Sequence, residues 1–195
     1  MTAAGPDAPT LCGRWTVRDL AAHLVVRERR PDASAGVVIK PLAGYLSSVQ
    51  ARAAGRPFTE LLEQIRTGPP WWSPLRPVDA VANLTEMFVH HEDVRRGEPG
   101  WEPRELAAED EARLWRSLRP MARMAYRKAP VSVVLATPRG ERVTAHRAAA
   151  RSLEVVLTGP PSELLLHAFG RNAVRLEATG SPEDVQAVHD SDRSI

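Results

Sequence analysis

Residues 1–15 read as irregular, broken by Pro6 and Pro9; apolar side chains then recur three and four residues apart within 16–125, less regularly over 32–75, and after Pro130 the pattern changes to short runs and alternation. The first part therefore predicts helices and the second a mixture of strands and helices. Thr16 followed by Asp19 is a short-chain capping box, with Trp15 placed to pack back on Leu20. Leu20, His23, Leu24 and Arg27 then follow one side of a helix that Pro31 ends. Further helices are expected over 42–54, with Pro41 in the first turn, and over 59–66, stopped by Gly68, Pro69 and Pro70. Trp71, Trp72, Pro74 and Pro77 read as a rigid aromatic loop, either a lid over the core or a pocket wall. A helix over 78–96 has Val81, Leu84 and Phe88 at core-facing spacing, and Gly97 and Pro99 close it. Leu106, Leu114, Leu118, Met121 and Ala125 predict a long helix over 105–127 that Pro120 kinks or splits.

Beyond Pro130, strands are expected over 131–136, 142–146 and 153–157, with a turn at Pro138, Arg139 and Gly140. Ser162 is placed to cap a short helix through Phe169, 173–178 alternates as a strand, and Pro182 opens a last helical turn. The fold class is accordingly mainly α. It consists of a helical bundle over 1–128, with the metal-bearing part at 16–125, followed by a small α+β unit over 129–195.

Composition bounds the function. Apolar residues make up 43% and charged residues 26%, as in a folded globular chain. The net charge is only +2, Lys40 and Lys128 are the only lysines, and the bases interleave with acids. That pattern points away from nucleic acid as a partner. The densest basic cluster, Arg27, Arg29 and Arg30 around Glu28, reads as a solvated helix end before an anion site. Cys12 is the only cysteine, which excludes an intrachain disulfide and a cysteine-rich zinc knuckle. There is no long apolar run and no basic leader, so the expectation is a cytoplasmic protein without a membrane span.

The chemistry concentrates in Glu86-Met87-Phe88-Val89-His90-His91-Glu92-Asp93. Residues four apart on a helix lie about 6 Å apart on one face, so Glu86 and His90 present a carboxylate beside an imidazole. A third ligand has to come from another element, and His23, set among apolar neighbours, is the natural supplier. Two histidines and a carboxylate with an open position suit catalytic zinc, and nickel, cobalt, manganese or iron would also be accepted. The alternative is a surface Glu86–His90 pair with His23 satisfied by a carbonyl. His91 points roughly 100 degrees away from His90. Asp93 is either a solvated acid or the group that orients the second ring nitrogen of His90. Cys12 offers no sign of a lowered pKa, and the phosphate-loop, dinucleotide and nucleophile-elbow motifs are absent. His146, His167 and His189 read as structural or exposed.

Three stretches together resemble the actinobacterial metal-binding proteins related to mycothiol-dependent maleylpyruvate isomerase, within the DinB-like helical bundles. They are Trp15-Thr16-Val17-Arg18-Asp19-Leu20-Ala21-Ala22-His23-Leu24, the Glu86-x3-His90 helix, and the segment from Gly159 to Arg171. The segments 25–32 and 68–77 add to the likeness. The resemblance implies a four-helix bundle with metal ligands at His23, Glu86 and His90, mycothiol as a thiol cofactor, and a catalytic arginine matched by Arg171. It also implies a further helix ahead of residues 5–10, so either the true start lies further upstream, or the bundle lacks its first helix and a partner chain or the helices in 42–66 cover the gap.

Two functions follow. One is a mycothiol-dependent isomerase or thiol transferase acting on a small electrophile. The other is a non-catalytic metal-binding or regulatory protein whose metal shell is closed by His91 or by a partner residue. Small molecules are the expected partners in the first case, and a homodimer stays open in both.

Overall fold

The computed structural model describes residues 1–34, 39–73, 79–148 and 154–193, with only the backbone described at 34, 40 and 79–83. The expectations for Pro74, Pro77, Val81 and Leu153 lie outside what is described. The chain is a mainly helical bundle followed by a small α+β unit, and it forms two compact units, Met1–Trp101 and Glu102–Ile195.

In the first unit the chain makes α1 (Val17–Arg29), α2 (Pro31–Ser34), a 3-10 turn at Lys40–Leu42, α3 (Ala43–Ala54), α4 (Phe58–Thr67) and α5 (Asp79–Arg95). The capping box forms as the sequence predicts: the Asp19 amide donates to the Thr16 hydroxyl, and the Thr16 amide donates to the Asp19 carboxylate at 2.9 Å. Such a cap satisfies backbone donors that the first turn leaves open. Ala21, Ala22, Val25 and Val26 of α1 pack with Ala33, with Val49 and Ala53 of α3 and with Leu61 of α4. Val17 and Leu20 pack with Val94 of α5, and Trp15 closes over that cluster.

The core-facing side of α5 differs from the spacing argument. Leu84 is exposed, whereas Thr85, Val89, Glu92, Asp93, Val94 and Arg96 are buried. Apolar spacing misplaces the face because its inward positions carry several charged side chains. The two adjacent tryptophans are also no lid: Trp71 is 81% and Trp72 51% exposed.

The second unit contains α6 (Ala108–Ala125), β1 (Val133–Ala136), β2 (Arg142–His146), β3 (Val155–Thr158), α7 (Pro161–Ala168), β4 (Glu177–Thr179) and α8 (Pro182–Asp190). The sheet order is β2-β1-β3-β4, with β1 and β3 parallel and both edge strands antiparallel to their neighbours. α6 packs on α7 and β2, which places it in this unit although the sequence changes character only at Pro130. It runs unbroken through Pro120. Ser162 lies inside α7 rather than capping it: its amide and hydroxyl donate to the Glu111 carboxylate of α6 at 2.9 and 2.8 Å. β4 is shorter than the alternation suggested and exposed along its length. Among the described residues no helix is long and apolar enough to cross a membrane.

Candidate metal centre

Helix α1 carries His23, and α5 carries Glu86 and His90 one turn apart. The three side chains meet within the first unit: one ligand atom from each lies within 4.8 Å of the others. Glu86 Oε1 is 3.9 Å from Nε2 of His23 and 3.8 Å from Nε2 of His90. The two imidazoles stand nearly perpendicular, with centroids 5.5 Å apart. Metal bonds of about 2.0–2.1 Å at tetrahedral angles need ligands roughly 3.4 Å apart, so a small contraction would close these atoms on one cation. All three side chains are partly buried, which leaves an approach from solvent.

Each histidine has a polar partner on its other nitrogen. His90 Nδ1 is 2.9 Å from Asp93 Oδ2, and Asp93 is fully buried. The carboxylate fixes Nδ1 as the protonated nitrogen and turns the Nε2 lone pair towards Glu86. His23 Nδ1 is 2.8 Å from the carboxamide of Gln50 on α3. As placed, Gln50 Nε2 faces the ring and donates to Nδ1, which puts the ring proton on Nε2; the amide turned over has the same shape, and then Nδ1–H donates to Oε1 and Nε2 is free to ligate. The Trp15 ring lies 5.1 Å from that of His23 and walls one side. Asp93 thus takes the orienting position, while Gln50 carried no sequence signal because it lies on a different helix.

Glu86 is shared. Its Oε2 accepts from Arg27 Nη2 at 2.5 Å, so Oε1 is the oxygen turned to the histidines. The cluster Arg27, Arg29 and Arg30 is therefore not simply a solvated helix end. Arg29 donates to Gln64 O, Thr67 Oγ1 and Gly68 O, and Arg30 pairs with Asp32.

A second group adjoins the first and shares His90. Cys12 Sγ donates to Asp93 Oδ2 at 3.0 Å and lies 3.9 Å from His90 Nδ1, so Cys12, His90 and Asp93 also satisfy the proximity a cation needs. Sequence reasoning passed over Cys12 because a loop 78 residues away in the chain brings it there. That loop is built into the unit. Leu11 N donates to Asp93 O, Pro9 bridges Thr16, and Thr10 Oγ1 donates to Trp15 O.

His91 is exposed and belongs to neither group. Arg171 follows α7 in the second unit, partly buried, and donates to the Phe169 carbonyl. Tyr126, His167, His189 and Arg193 form a separate cluster in that unit. The Tyr126 hydroxyl is 2.6 Å from His167 Nδ1, and the His167 ring stands edge-on to that of His189.

Among the described residues two groups of side chains thus have the capacity to hold a divalent cation. Residues 1–70 match the model of the mycothiol maleylpyruvate isomerase N-terminal domain family. The matched stretch includes His23 and ends before Glu86 and His90. No curated protein and no solved structure matches the chain.

Proposed function

We propose that the chain is a divalent-metal protein using His23, Glu86 and His90 as ligands, and that it acts on a small electrophile with mycothiol, as an isomerase or thiol transferase. The observation that carries the reading is the convergence of these donors from α1 and α5, each imidazole backed by its own polar partner. Two nitrogens and one oxygen form a borderline donor set that favours zinc over magnesium or calcium. A cation in this position supplies a Lewis acid that holds a thiol as thiolate near neutral pH. The protein's own share is to orient the rings through Asp93 and Gln50, to hold the Glu86 carboxylate through Arg27, and to shield one side with Trp15. The match of residues 1–70 supports thiol chemistry as the reaction class.

The test is metal content of the purified protein and of the Glu86→Ala, His90→Ala and Cys12→Ser variants, followed by calorimetric titration with mycothiol. One equivalent of metal, lost in the first two variants and kept in the third, together with saturable thiol binding, supports the proposal. Retention in Glu86→Ala with loss in Cys12→Ser moves the metal to the Cys12–His90–Asp93 group. Metal without thiol binding leaves a non-catalytic metal protein. The role that the resemblance gives Arg171 is read separately: Arg171→Lys should retain metal and thiol binding while turnover of a screened electrophile falls.

A further inference from the structure

No aspartate or glutamate occurs between Ala112 and Gly140, a stretch that holds Arg113, Arg116, Arg119, Arg123, Arg127, Lys128 and Arg139. The charge balance of the whole chain hides this. At 100 degrees per residue, Arg116, Arg119 and Arg123 share one face of α6, with Arg127 in the turn that follows it, while Leu114, Trp115, Leu118, Ala122 and Ala125 are buried on the other. The four arginines are exposed. α6 packs along β2, the edge strand of the sheet, which brings Arg142 and Arg147 up to them.

The result is a groove with arginine on both walls. Arg116, Arg119 and Arg123 line one side of a cavity of about 670 Å3, and Arg142, Thr144 and Arg147 the other. A neighbouring cavity of about 380 Å3 shares Arg123, Thr144 and Arg147 and adds Arg127 and His146. Among the described residues only Arg142 of these arginines meets a carboxylate, Glu154 at 3.6 Å. Among the described residues Arg116 donates only to the Ala112 carbonyl one turn back in α6, and Arg127, in the turn after α6, only to the Met124 carbonyl. Among the described residues Arg119, Arg123 and Arg147 make no hydrogen bond or ion pair. Five guanidinium groups around one volume repel each other, and a bound anion relieves that repulsion.

We infer that this groove binds a small molecule carrying two or more linked phosphate groups. The planar fork of arginine matches phosphate oxygens two at a time, and every cation here is arginine. The number of charges exceeds what one carboxylate or one orthophosphate offsets. A polynucleotide is the weaker fit, because the cations converge on one volume and no aromatic side chain lines it to stack a base. All of its lining residues belong to the second unit, and none is a ligand of the candidate metal centre.

The test is calorimetric titration of the full chain at about 0.15 M salt, where weak surface electrostatics are screened. The probes are inorganic tripolyphosphate, pyrophosphate and orthophosphate, beside a short DNA duplex. Tripolyphosphate should saturate one site, with pyrophosphate weaker and orthophosphate weakest. Arg119→Gln, Arg123→Gln and Arg147→Gln should each weaken tripolyphosphate binding about tenfold. Arg66→Gln, which removes an exposed charge from the first unit, should leave binding unchanged, as should His90→Ala. Circular dichroism confirms that each variant is folded. Absence of saturable binding overturns the inference, as does equal weakening by Arg66→Gln. Loss in His90→Ala would place the phosphate on the metal instead. Duplex binding tighter than that of tripolyphosphate, with the same arginine dependence, would make the groove a polynucleotide surface.

Discussion

The Asp93 carboxylate, fully buried, sits 2.9 Å from Nδ1 of His90 and receives the Cys12 thiol on the same oxygen. A buried carboxylate in this place makes Nε2 of His90 a better and better-aimed ligand, and loss of such a partner typically weakens metal binding 10–100-fold. Asp93→Asn should therefore lower zinc affinity within about that range in a competition titration, without changing the folded circular dichroism spectrum. Cys12→Ser preserves a donor to Asp93 and should leave the affinity within about threefold of the parent. Parent-like affinity in Asp93→Asn would remove Asp93 from the ligand-orienting role.

Arg27 places a guanidinium on the oxygen of Glu86 that faces away from the histidines. It steadies the carboxylate, but its charge also opposes a cation a few ångströms away. At the partly screened depth of this site the repulsion outweighs the steadying. Arg27→Gln should tighten zinc binding, by roughly tenfold at low salt and less as salt rises. Weaker binding in this variant would mean that Arg27 holds the ligand geometry more than it opposes the charge.

How much of this was legible in the sequence follows physical range. The capping box of α1, the helix-ending role of Pro31 and the Glu86–His90 pair are all set within a few residues, and all appear where spacing put them. His23 needed one step of chemical reasoning to reach its neighbours. Gln50 and Cys12 were out of reach because only tertiary packing of α3 and of the 9–12 loop brings them to the histidines. The inward face of α5 was misread at Leu84 because it is built on Glu92, Asp93 and Arg96, which hydropathy assigns to solvent. Glu92 instead pairs with Arg95 and Arg96 inside the unit. The arginine groove was not read in the sequence: the balanced overall charge suggested bases interleaved with acids, although 112–140 holds no acid.

Gly97 fixes the 9–12 loop against the end of α5. A β-carbon there would stand 2.1 Å from Pro9 O and 2.7 Å from Pro9 C, both backbone atoms that cannot swing aside. Gly97→Ala should thus cost about 1–3 kcal/mol, the usual range for forcing extra volume into a packed site. It should also release the loop that carries Cys12. The check is urea denaturation together with the rate of Cys12 modification by a neutral thiol reagent: stability falls and the rate rises. An unchanged rate would show that the loop stays docked without this contact.

His167 supplies the pH dependence. It is fully buried, and burial pushes its pKa well below the ordinary value of 6.5, with the Arg193 and His189 charges acting in the same direction. The Tyr126 hydroxyl shares a hydrogen bond with Nδ1, and Nε2 is buried with no partner among the described residues, so the neutral ring is the form the fold accepts. The unfolded chain takes up a proton near pH 6.5, whereas the folded chain does so only at lower pH. Between those two values the unfolded state holds the extra proton. The stabilisation is therefore complete above about pH 6.5 and is lost as pH falls below it, at up to about 1.4 kcal/mol per pH unit. Denaturation at pH 7.5 and pH 5.5, in the parent and in His167→Gln, isolates this contribution. The variant begins less stable because the Tyr126 hydrogen bond is altered, and it should lose about 1 kcal/mol less than the parent over that interval. Parallel losses in the two proteins would mean that His167 takes up its proton in the folded state as readily as in the unfolded chain, and that the Tyr126–His167 pair is not what acid disrupts.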